Sequence, residues 1–149
     1  MTGKRFVLAL ALTLAATAAA STELDAVRAE ANLEKRSKLA LDNAASALKS
    51  AREAYQAGDT ATVTVKADEI GESVDLAYNS LTETGKNPRK SPKWFKHAEM
   101  ETRELTRRLE DFAQQMNYDD RAILDKTRAR VEQVHDELLT GLMEGRKKK

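Results

Sequence analysis

The chain has 149 residues, 25 Lys and Arg against 24 Asp and Glu, and no cysteine. A formal net charge of +1 excludes a bulk polyelectrolyte binder. The missing cysteine excludes disulfides, zinc–thiolate sites, covalently attached haem and thiol nucleophiles, so stability rests on packing one domain-sized core.

Lys4 and Arg5 precede an uncharged run, Phe6 to Thr17, that is rich in Leu and Ala. Ala18, Ala19 and Ala20 then supply the small residues a signal peptidase reads. The pattern predicts a cleaved secretory signal peptide over residues 1–20. Its apolar run is too short and too alanine-rich for a membrane span, which takes roughly 20 strongly apolar residues. No cysteine follows that could carry a lipid anchor, and no Asn has Ser or Thr two positions on as a glycosylation site requires. The expected address is the bacterial periplasm or the extracellular medium, with nothing transmembrane after cleavage.

The rest of the chain is dense in Ala, Leu, Glu, Lys and Arg, all good helix formers. A first helix is predicted from about Thr22 to Ala57. Leu41, Ala44, Leu48, Ala51 and Tyr55 form its apolar stripe. Leu24, Val27, Ala31 and Leu33 are out of phase with that stripe, so residues 21–37 read as a separate short helix or a frayed extension. Gly58 and Asp59 make a turn, with Asp59 placed to cap the next helix.

The second helix is predicted from Thr60 to Thr84, on the repeat Val63, Ala67, Ile70, Val74, Ala77 and Leu81. Gly85 ends it. Ser91 and Pro92 read as the cap and first residue of a third helix, with the stripe Phe95, Ala98, Thr102, Leu105, Leu109, Phe112 and Met116. Asn117 reads as the cap of a fourth, with Asp119 and Asp120 in its first turn and the stripe Leu124, Thr127, Val131, Val134, Leu138 and Leu142. Four long helices joined by short turns predict an all-α, up-down-up-down four-helix bundle over residues 21–145, followed by a basic tail, 146–149. Two helical hairpins that dimerise are the alternative.

Ala44, Ala47, Ala51, Tyr55 and the Gly58–Asp59 turn resemble the first helix and turn of a tetratricopeptide repeat. The resemblance covers one partial unit. No second copy recurs at a period near 34 residues, which such arrays need.

The stretch 86–97 is the strongest candidate site. Lys86, Arg89, Lys90, Lys93 and Lys96 occur there without an acid, beside Trp94 and Phe95. In the predicted bundle the tail Arg146, Lys147, Lys148 and Lys149 returns to the same end. Gathering these cations leaves the rest of the chain strongly acidic and the molecule electrically lopsided. Such an end suits an unknown acidic partner protein or an anionic surface, such as lipid headgroups or an acidic polymer, with Trp94 and Phe95 as apolar anchors. The plainer reading makes Ser91 and Pro92 a helix start and the aromatics a plug for the core. Nucleic acid fits poorly, given export and only 5% aromatic residues to stack on bases.

His97 and His135 fall at about the same level of the third and fourth helices, so they are candidate metal ligands. Neither lies on an apolar stripe, and only one Glu-x-x-His motif occurs, Glu132 to His135, where a di-iron bundle needs two. No metal or other cofactor is therefore expected. A nucleophile turn and a glycine-rich phosphate loop are both missing from the sequence, so no enzyme is expected either. Leu24, Val27 and Leu33 are expected either to fray or to project as a docking surface, with a homodimer as one outcome.

Overall fold

A computed structural model describes residues 19–145. The expected leader lies almost wholly outside the described residues, and so does the basic tail, 146–149. Five α-helices and one 3-10 segment pack together, with no strand among the described residues.

The first predicted helix is broken in two. Helix α1 spans Ala19–Arg28 and α2 spans Leu33–Gln56. The break falls where the apolar phase changes. Asn32 caps α2, its side-chain oxygen accepting from the Lys35 N–H at 2.8 Å. Helix α1 folds back onto α2 and α3 (Thr60–Glu83) rather than projecting. Leu24 is buried, Val27 packs against the core, and Arg28 pairs with Glu72 of α3. Of the three residues expected to project, Leu24 and Val27 are thus covered by the chain itself, and Leu33 is half-buried.

Gly58 turns the chain with φ +76°, and Asp59 caps α3 by accepting from the Thr62 N–H at 3.0 Å. Helices α2 and α3 form the tightest pair in the molecule. Ala40, Ala44, Ala47 and Ala51 meet Ala67, Ser73, Ala77 and Ser80 in the buried interior of this hairpin. Close helix approach accounts for the alanine spacing without any repeat array. Burying each full-sized apolar side chain, such as Leu41, Leu48 or Ile70, favours folding by about 1.5–3 kcal/mol.

Helix α4 spans Lys93–Gln115. Its cap position is Pro92, one residue later than expected, and Ser91 makes no capping bond. Asn117 likewise caps nothing with its side chain. The chain instead makes a 3-10 segment, Tyr118–Leu124, before α5, Asp125–Glu144. The predicted stripes are otherwise the buried faces, from Phe95 to Phe112 in α4 and from Leu124 to Leu138 in α5.

Helices α4 and α5 pair antiparallel, as Arg128 with Glu110 and His135 with Glu99 require. Across the two hairpins, α3 runs beside α5 in the same direction. Thr127 Oγ1 donates to Ala67 O at 2.8 Å, and Arg130 pairs with Asp75 further along both helices. Helix α2 runs the same way as α4, where Arg52 bonds to Arg108 O at 2.9 Å and Tyr55 meets Phe112.

Candidate functional site

The basic stretch lies on the link between α3 and α4 and on the first turn of α4. Asn87 shapes the link. Its side-chain oxygen accepts from the Arg89 N–H at 2.9 Å, and its carbonyl accepts from Lys90 N at 3.1 Å and Ser91 N at 2.9 Å. Pro88 thus occupies the second position of a turn, where its fixed φ is favourable. The turn presents Arg89 and Lys90 outward, and both are exposed.

Helix α5 ends against this turn. A β-carbon on Gly141 would come 3.2 Å from Pro88 Cγ, and one on Gly145 would come 3.2 Å from Arg89 Cδ. The last described residue therefore adjoins the link. Arg146, Lys147, Lys148 and Lys149 fall outside the described residues.

The five link cations are not equivalent. Lys86 pairs with Glu34 at the start of α2. Arg89, Lys90, Lys93 and Lys96 form no ion pair among the described residues. Lys93 Nζ lies 5.0 Å from the Trp94 ring centroid. Of the expected anchors, Trp94 is half-buried and edge-on to His97, with ring centroids 6.2 Å apart. Phe95 is buried in the core, as the plainer reading has it.

Between the link, α3 and α5 lies a pocket of about 260 Å³. Phe95, Leu138 and Pro88 give it apolar walls. Tyr78, Glu137 and Glu144 add polar groups, and Lys86 stands at the same opening. Burial, and then a hydrogen bond to Glu137, raise the Tyr78 phenol above its ordinary range. Sequence patterning did not reveal this pocket, because it forms where three separate segments meet. Its one local signal was the Gly141–Gly145 pair, one in the last turn of α5 and one just past its end.

The two histidines are not brought together by any contact. His135 Nε2 lies 2.9 Å from Glu99 Oε1, and Arg103 holds the other oxygen of Glu99 at 2.9 Å. His97 Nε2 is buried without a hydrogen-bond partner. Among the described residues no group of three or more His, Asp or Glu is placed to hold a metal ion. No described helix is long and apolar enough to cross a membrane.

Comparison with family models, curated proteins and solved structures finds no match.

Proposed function

We propose that this is an exported, non-enzymatic binding protein whose basic end engages an anionic surface. The supporting observation is the contrast in charge pairing. Arg89, Lys90, Lys93 and Lys96 stand exposed, close together in the chain and without an ion pair among the described residues. Most cations elsewhere, such as Arg28, Lys35, Arg36, Lys38, Lys66 and Arg130, are paired with carboxylates. The other unpaired lysines and arginines, such as Lys49, Arg108 and Lys126, are scattered over three helices. Unpaired cations on the link and the first turn of α4 give up no existing ion pair when an anion binds.

On this reading α2, α3, α4 and α5 act as one four-helix bundle with alternating chain direction, closed at one end by the basic link. The leader directs the chain to the periplasm or the medium. An acidic partner protein would meet the same face.

The test is co-sedimentation of the protein, with residues 1–20 removed, with phosphatidylglycerol vesicles over a range of salt. Adsorption is expected to fall steeply with salt, as screened charge attraction does. The variant K90E/K93E/K96E is expected to lose it. Adsorption that ignores salt and this variant sinks the reading.

A further inference from the structure

The Phe95 pocket carries both signs of charge. Glu137 and Glu144 lie two helical turns apart on α5, and both face the pocket. Neither carboxylate forms an ion pair among the described residues; Glu137 accepts hydrogen bonds from Gln133 at 3.1 Å and from the Tyr78 phenol. The Tyr78 ring stands beside them. Lys86 lines the pocket too, but its ammonium is taken by Glu34. Arg89 packs on Gly145 at the pocket's edge, and Lys90 follows it on the turn.

Such a site attracts a positive group inside and a negative group outside. An ammonium is favoured beside two carboxylates and an aromatic ring. A phosphate is favoured against an exposed Arg and Lys. The size sets the rest. A volume of 260 Å³ is below the roughly 300–1,000 Å³ of pockets that enclose a drug-sized ligand. The pocket therefore holds a small group whose remainder stays outside.

We propose that this pocket binds a phosphate ester carrying an ammonium group, the ammonium between Glu137, Glu144 and Tyr78 and the phosphate at Arg89 and Lys90. The inference rests on the reading of the basic end as a surface-binding face, and it names the headgroup that face selects. The group is available in two forms, as the headgroup of a membrane lipid and as a free phosphoamine.

The experiment compares vesicles of fixed phosphatidylglycerol content whose remaining lipid is either phosphatidylethanolamine or an uncharged galactolipid. The wild-type chain with residues 1–20 removed is expected to prefer the phosphatidylethanolamine vesicles by about fivefold, the scale of one partly exposed ion pair. The near-isosteric E137Q/E144Q variant is expected to lose that preference and to adsorb to phosphatidylglycerol at least as well, having shed two negative charges. Equal binding to both vesicles, or a preference that survives in the variant, overturns the proposal while leaving salt-dependent adsorption intact.

If neither vesicle binds, the reading of the basic end fails, and soluble O-phosphoethanolamine decides the pocket. Shifts in the Gly141 and Gly145 amide resonances, not given by glycerol phosphate, support it. No shift overturns it. Competition of O-phosphoethanolamine against vesicles identifies the free compound as a sufficient ligand.

Discussion

The hydroxyl of Tyr55, on the last turn of α2, accepts from the Asn117 backbone N–H at 2.8 Å, across 62 residues of chain. The same hydroxyl donates to Asp120 Oδ2 at 3.0 Å. The ring packs edge-on against Phe112, with centroids 5.9 Å apart. One side chain thus fixes the turn between α4 and α5 onto the first hairpin. Replacing Tyr55 by Phe keeps the ring and removes both hydrogen bonds. Urea unfolding is expected to show a loss of about 1–2 kcal/mol, the usual net value of two such bonds. An unchanged midpoint would mean that the turn holds without them.

Two glycines should respond to alanine with opposite signs. Gly71 lies inside α3, and nothing stands within 4 Å of where its β-carbon would be. Gly71→Ala is expected to stabilise by about 0.5–1 kcal/mol, since the helix loses only the cost of glycine. Gly58 also has open space, but its φ of +76° strains any residue with a β-carbon. Gly58→Ala is expected to cost about 1–2 kcal/mol. Thermal unfolding of the pair checks both, and two shifts of the same sign would refute the assignment.

A buried polar group links α2 and α3. Asn43 Nδ2 lies 3.1 Å from Glu69 Oε1 and 2.9 Å from Ser73 Oγ, and Lys66 holds the second oxygen of Glu69 at 2.9 Å. Glu69 is only 7% exposed. Asn43→Ala leaves a buried carboxylate oxygen and a hydroxyl without their donor. The expected loss is about 1–3 kcal/mol in chemical denaturation, more than Ala costs at an exposed helix site. A loss no larger than at exposed Lys49 would show that water replaces the amide.

That group also marks where the sequence was legible and where it was not. Apolar periodicity located the buried faces of α3, α4 and α5 because Val63, Ile70, Leu105 and Leu138 have no alternative but the core. It was silent on Asn43, Glu69 and Ser73, whose burial depends on partners from another helix. The cap of α2 was missed because Asn32 follows a stretch whose composition is as helical as what comes after it. Asn117 looked like a cap, but a 3-10 segment follows it and its side chain makes no capping bond; the turn is held instead by Tyr55, a contact no local pattern encodes. Of the candidate site, the cations could be read directly, because exposed charge needs no packing to be placed. The burial of Phe95 could not be told from anchoring, since adjacent aromatics at a helix start suit both.

The cap of α3 has a measurable pH signature. The Asp59 carboxyl is held below its ordinary value of 3.8, first by the Thr62 hydroxyl and then by the Thr62 backbone N–H. Folding therefore favours the carboxylate. Its contribution is complete above the unfolded value and is lost as pH falls through the folded one. Asp59→Asn keeps a capping oxygen but cannot titrate. The stability difference between wild type and this variant is expected to be flat from neutral pH to about pH 5 and to shrink as the carboxyl protonates. Other carboxylates titrate alike in both chains and cancel in the difference. A difference that stays constant into strong acid would show that the Asp59 charge adds nothing beyond its hydrogen bonds.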